Sequence, residues 1–292
     1  MLPLRPYGNS GIKVSVLGLG AAQIGNAAVA ETEVAHLLNA ALDAGVTLID
    51  TAPSYGLSET RIGRHLSSRR DHAVLSTKLG YGVDGIEDWT GPCITAGVER
   101  ALRLMRTDHI DIAHLHSCPR RTLERGDVIE ALDAAKRAGK IRAMAYSGEN
   151  DDLAYAVACG RFDGFMASLN ICDQRVIDDI MPKIFDKGFI AKRPGANHPW
   201  RFVERPVGDY CEEYWQRWRT MSPDAHGMGW GELAIRFASS ISGVTSAIIG
   251  TSDTSHLMQN IAWAKAGSLD AWQITELREA FRQNDSQWLG QC

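Results

Sequence analysis

No stretch of this 292-residue chain approaches the run of uncharged apolar residues, roughly 18 long, that a membrane-spanning helix requires. The opening MLPLRPYGNS lacks the apolar centre of a signal peptide, so a soluble cytoplasmic protein is expected. Positive charge is also scarce: 31 Lys and Arg stand against 35 Asp and Glu, a formal net charge of -4. The densest basic run is Arg69-Arg70, read as a solvated turn, so nothing supplies the basic field of a nucleic-acid partner. The six cysteines, Cys93, Cys118, Cys159, Cys172, Cys211 and Cys292, form no CxxC pair and no regular spacing. They are expected to be reduced thiols, with neither a disulfide framework nor a cysteine-held metal. No GxGxxG lies between an expected strand and helix, which argues against a Rossmann pyrophosphate site.

What the chain does have is alternation. Tyr7-Gly8-Asn9-Ser10-Gly11 between short extended segments predicts a small hairpin, a plug for one end of a barrel. VSVLGLG then reads as a strand, and Val34, Leu37, Leu38, Ala41 and Leu42 recur at helical spacing until Gly45 stops them. VTLID begins the next strand, and the unit repeats. The expected helices run near 59–66, 95–104, 128–138, 151–158, 174–187, 231–239 and 255–264. Between them the expected strands run over 73–78, 110–116, 141–147, 164–169, 189–192 and 246–249. Eight strands with crossover helices predict a parallel sheet closed into a (β/α)8 TIM barrel, an α/β fold spanning residues 1–292 as one domain. Ile274, Leu277 and Phe281 add a C-terminal extra helix, whose tail from Trp288 to Cys292 either crosses the barrel or hangs free. The aromatic-rich segment 197–223 comes after the seventh strand and reads as a lid or wall.

In a parallel barrel the carboxyl ends of the strands share one face, where active sites are built. Asp50, Lys78 and His116 close three consecutive expected strands, and Tyr55 stands in the turn-like APSYG just after the first. These types cooperate. A phenol with an ordinary pKa of about 10 is a poor proton donor at neutral pH. A cationic lysine beside it favours the phenolate, and an aspartate holds that lysine charged and oriented. A histidine supplies a hydrogen bond to a carbonyl oxygen that is gaining negative charge. Two other uses of the same residues stay in view. His114 and His116 form an HxH that would face one way from a strand and bind a metal for hydrolysis. Lys78 or Lys192 would serve as the Schiff-base lysine of an aldolase. Cys118, two residues after His116, is a bystander or an oxidation-sensitive thiol.

In the segments DTAPSYG, STK and LH, the four residues Asp50, Tyr55, Lys78 and His116 resemble the catalytic tetrad of the aldo-keto reductases. The resemblance implies reversible interconversion of an aldehyde or ketone and an alcohol, with Tyr55 as general acid and base and hydride moving to or from C4 of a nicotinamide. IIGTSDTSHLMQN after the eighth strand is similar to the family's adenosine-phosphate loop. Gly250, Thr251 and Ser252 precede the helix expected there, whose N-terminus suits a phosphate, and by the likeness Ser252 and His256 would face the 2'-phosphate of NADPH and Gln259 and Asn260 the adenine. Gly20, Ser147, Arg193 and Pro194 would contact the remainder of the cofactor. NADPH is the expected partner and NADH stays open, because family members often carry Lys at the position of Gly250 and Arg at that of His256. The nicotinamide side departs further: Ser147-Gly148 replaces the frequent Ser-Asn, Met166 a Gln, and Lys192-Arg193 a stacking aromatic. Tyr81, Trp89 and Trp200 lie in loops on the same face, and Trp89 is the candidate substrate contact, for a sugar or an aryl aldehyde. The fold also occurs as a cofactor-retaining auxiliary subunit of potassium channels, which leaves a non-enzymatic reading as the alternative.

Overall fold

The computed structural model describes residues 2–291, so Cys292 lies outside the described residues. The hairpin comes first: β1 (Leu4–Pro6) pairs antiparallel with β2 (Lys13–Ser15). The run VSVLGLG is therefore divided. Its start belongs to β2, and only β3 (Leu17–Gly20) enters the large sheet. Seven further strands complete that sheet: β4 (Leu48–Asp50), β5 (Val74–Leu79), β6 (Ile110–His116), β7 (Ile141–Ser147), β8 (Gly164–Ser168), β9 (Gly188–Lys192) and β10 (Ser246–Gly250). They pair in parallel, and β10 pairs with both β9 and β3, which closes the barrel.

Strand alternation sorts the core into two layers. Leu48, Ile112, Ala143, Ala145, Met166, Ile190 and Ile248 meet inside the barrel, together with Tyr7, Ile12 and Val14 of the hairpin. Tyr7 is fully buried there, so the hairpin plugs the barrel as its turn signal predicts. Residues of the opposite parity, such as Leu17, Leu19, Ile49, Leu75 and Leu115, pack outward against the helices.

The helical layer comprises α1 (Glu31–Asp43), α2 (Ser58–Leu66), α3 (Gly91–Met105), α4 (Arg120–Arg125), α5 (Asp127–Arg137), α6 (Asn150–Ala158), α7 (Arg175–Asp179), α8 (Glu212–Met221), α9 (Trp230–Ser240), α10 (Thr254–Lys265) and α11 (Ala271–Asn284). Three features differ from expectation. The helix expected over 174–187 is only the five residues of α7 and then a 3-10 turn at Met181–Lys183. Pro182 explains the break, since its ring removes a donor and clashes with the preceding turn. The segment 197–223 is no simple loop but carries α8, and α4 is an unforeseen short helix between β6 and α5. No helix among the described residues is long and apolar enough to cross a membrane.

Candidate active site

Asp50 is the last residue of β4, Lys78 the penultimate residue of β5, and His116 the last of β6. Parallel register sets Asp50 beside Ser76 and Lys78 beside His114. Tyr55 sits in the turn between β4 and α2, fixed at both sides by Tyr55 N donating to Ala52 O at 3.0 Å and Ser58 N donating to Tyr55 O at 3.0 Å. All four residues line one cavity of about 440 Å³ at the carboxyl end of the barrel.

Their contacts are specific. Lys78 Nζ donates to Asp50 Oδ2 at 2.6 Å and to the Thr51 carbonyl at 2.8 Å, and Ser76 Oγ donates to Asp50 Oδ1 at 2.8 Å. The ammonium also lies 4.9 Å from the centroid of the Tyr55 ring. Burial pulls the Lys78 pKa down, but the Asp50 charge and the Tyr55 hydroxyl outweigh it and hold the pKa above the ordinary value. Lys78 is thus a fixed cation beside the phenol. His116 behaves oppositely. Its burial and the positive charges of Lys78, Lys192 and Arg193 push its pKa down to about 3, so its imidazole is neutral at physiological pH.

Tyr81, which sequence reasoning placed only among loop aromatics, has its hydroxyl against His116 Nδ1 and 3.0 Å from Ser54 Oγ. Trp89 packs behind it, edge to face at 6.1 Å, and is not part of the cavity lining. His114 is shut inside the barrel with Nε2 3.1 Å from Ser76 Oγ. Among the described residues no three His, Cys, Asp or Glu side chains converge as a metal-holding set. As for the Schiff-base reading, Lys78 is held as a cation and Lys192 is paired with Glu149 at 3.0 Å. Neither is a free amine. Cys118 is buried with its pKa raised to about 12 by burial and the Asp152 charge, unlike a reactive thiol.

Of the residues assigned to the cofactor, Gly20, Ser147, Arg193, Pro194, Gly250 and Asn260 line the same cavity. Thr251, Ser252, His256 and Gln259 lie on the turn and first turns of α10, outside the lining; all but Thr251 are exposed. Ser147 Oγ is buried with no hydrogen-bond partner. An orphaned hydroxyl on a cavity wall suits a polar group such as a carboxamide. Met166 adds an apolar wall beside it. Arg193 is taken up by its neighbours: its guanidinium lies over the Tyr210 ring, 5.2 Å from the centroid, and donates to Ser168 Oγ at 2.8 Å and to the carbonyl of Gln291 and the hydroxyl of Tyr210. The C-terminal tail therefore crosses the barrel rim. It is held there further by Arg217 Nη2 donating to Leu289 O at 2.7 Å. Gln23, also in the lining, escapes the sequence reading, although its place just after β3 obeys the same strand-end rule.

A family model described as the aldo/keto reductase family matches residues 16–282. The chain is 27% identical to an L-galactose dehydrogenase of Arabidopsis thaliana, over 89% of this chain and 88% of that protein. It is 28% identical to a D-threo-aldose 1-dehydrogenase of Pseudomonas sp, over 93% and 95%. An aldo-keto reductase of Bacillus halodurans shares the fold, with a TM-score of 0.84 at 23% identity and 96% coverage of both chains. With the family model covering nearly the whole barrel, this chain belongs to the aldo/keto reductase family and is an oxidoreductase of carbonyl and alcohol groups.

Proposed function

We propose that the chain interconverts an aldehyde or ketone and its alcohol with NADPH or NADH, Tyr55 carrying the proton. The observation that supports this best is the meeting of Tyr55, the Lys78–Asp50 pair and a neutral His116 on one cavity. Ser147, Arg193, Pro194, Gly250 and Asn260 would hold the cofactor, which supplies or accepts hydride at the substrate carbon when bound. In reduction, Tyr55 gives its hydroxyl proton to the substrate oxygen, and Lys78 stabilises the phenolate left behind. Asp50 keeps Lys78 charged and aimed at Tyr55. His116, with no charge of its own, donates a hydrogen bond to the substrate oxygen as it gains negative charge. In oxidation Tyr55 takes the proton back.

Two of the relatives are named for dehydrogenation of sugars, and the rim offers Asn197, His198 and Tyr210 as polar partners for hydroxyl groups, so a polyhydroxylated substrate is the first to try. The test is Tyr55→Phe, assayed by nicotinamide absorbance against a panel of aldehydes and aldoses and by fluorescence quenching for nucleotide binding. Binding is expected to persist and turnover to be lost. Turnover at the wild-type rate would remove Tyr55 from the chemistry. Tight nucleotide binding without any turnover in the wild type would favour a non-enzymatic subunit.

A further inference from the structure

A neutral imidazole carries one proton, and the hydrogen bond made by one ring nitrogen decides where that proton sits. For His116 this choice matters, because only a protonated Nε2 donates to a substrate oxygen in the cavity. Nδ1 faces the hydroxyl of Tyr81, and that hydroxyl has Ser54 Oγ as its second neighbour at 3.0 Å. We propose that Tyr81 is a positioning residue, which donates its hydroxyl proton to His116 Nδ1 and so locks the imidazole as the Nε2–H tautomer. The inference rests on the role proposed for His116 in the reaction.

The protein builds this contact at some cost to its backbone. Gly80, with φ +133°, directly follows β5, and a Cβ there would lie 2.2 Å from the Trp89 ring. Trp89 itself takes a left-handed conformation at φ +61°, pinned by its amide donating to Gly80 O at 2.7 Å and by Arg125 Nη2 donating to its carbonyl at 2.5 Å. The indole then supports the Tyr81 ring, which stands 5.5 Å from the imidazole. Burial raises the pKa of Tyr81, so the phenol keeps the proton it must donate. Ser54 is the residue before Tyr55, so it can donate in turn to the Tyr81 oxygen and tie the loop of the acid to the histidine.

The test is long-range proton–nitrogen NMR on the full chain labelled with 15N-histidine, in wild type and Tyr81→Phe, which keeps the ring against Trp89. Wild-type His116 is expected wholly as Nε2–H, and the variant as a mixture containing Nδ1–H. In the same variant kcat is expected to fall about tenfold with KM nearly unchanged, the scale of one lost neutral hydrogen bond. Wild-type His116 found as Nδ1–H, or a tautomer unmoved by Tyr81→Phe, would overturn the proposal. Neither NMR result depends on turnover, so failure of the reaction assigned to Tyr55 would register separately, in the Tyr55→Phe assay.

Discussion

Replacing Asp50 by asparagine removes one charge from a pair that water does not reach. The Lys78 and Asp50 side chains are 3% and 2% exposed, with 2.6 Å between Nζ and Oδ2. In Asp50→Asn the ammonium retains the Thr51 carbonyl at 2.8 Å and an amide oxygen, but no anion. Breaking a buried pair from one side costs about 3–5 kcal/mol, because the remaining charge is uncompensated. With two acceptors left, the lower end of about 3 kcal/mol is expected at pH 7. The pH dependence separates this cause from simple misfit. In the wild type burial lowers the Lys78 pKa, but Asp50 and Tyr55 more than reverse this and hold it above 10.5. The pair's stabilisation is therefore full below the unfolded value and is lost only as pH rises through the folded one. In the variant burial is opposed by Tyr55 alone, and the folded pKa is expected to drop below the unfolded one. The unfolded chain then binds the extra proton, so the variant gains about 1.4 kcal/mol per pH unit in that window. Urea midpoints of both proteins at pH 7 and pH 9.5 measure the difference, and common titrations cancel. The deficit should narrow by about 1 kcal/mol or more at the higher pH. A deficit that stays constant or widens would refute the account of Lys78 as a cation held by Asp50.

Three further outcomes are expected of the site. In an NMR titration neither His114 nor His116 should gain charge between pH 8 and pH 5, since burial and the Lys78 charge hold His114 well below the ordinary value and His116 at about 3; a midpoint near 6.5 for either would contradict this. Gly148→Ala should destabilise the protein by about 1–3 kcal/mol in thermal unfolding, because the new Cβ would lie 2.6 Å from the Tyr146 hydroxyl, itself donating to Cys118 O at 2.9 Å. Asp253 caps α10, its carboxylate accepting from Ser255 N at 2.6 Å and His256 N at 3.2 Å. It thereby takes up amides that a phosphate would use and adds a like charge. Asp253→Asn should raise the ratio of kcat/KM with NADPH to that with NADH, and an unchanged ratio would place the 2'-phosphate elsewhere.

The parts of the molecule legible in the sequence are those fixed by short-range periodicity. Short apolar runs, separated by helical stripes and by Gly45 and Gly139, specify the strands of the barrel, and the strand ends bring Asp50, Lys78 and His116 to one face. Local breakers are legible too, yet the apolar spacing around Pro182 masks its effect and predicts a longer helix than the chain forms. What periodicity does not encode is which loop side chain reaches across to another element. Tyr81 meets His116 over 35 positions of sequence, and Arg193 meets Gln291 over 98. Trp89 illustrates the same limit: an aromatic in a loop on the active face reads as pocket lining, but the space left by Gly80 draws its ring behind Tyr81 instead.

Two glycines near the cavity, Gly148 and Gly250, leave no room for a side chain, for different reasons. At Gly148 the volume a side chain would occupy is filled by the Tyr146 hydroxyl, and at Gly250 it is filled by the Gln23 carboxamide, 2.6 Å from where a Cβ would stand. Tyr146 belongs to β7, which Gly148 directly follows, and spends its hydroxyl on the Cys118 carbonyl, whereas Gln23 comes from the loop after β3 and brings a polar group to the cavity. Gln23 lines the cavity beside Gly250, so an uncharged amide stands at that end of the site. An amide can hydrogen-bond to a ribose hydroxyl or a phosphate oxygen alike, whereas an ammonium strongly favours the phosphate. If the nucleotide binds as proposed, the uncharged Gln23 beside Gly250 and the carboxylate of Asp253 would act in the same direction, each weakening discrimination in favour of a 2'-phosphate.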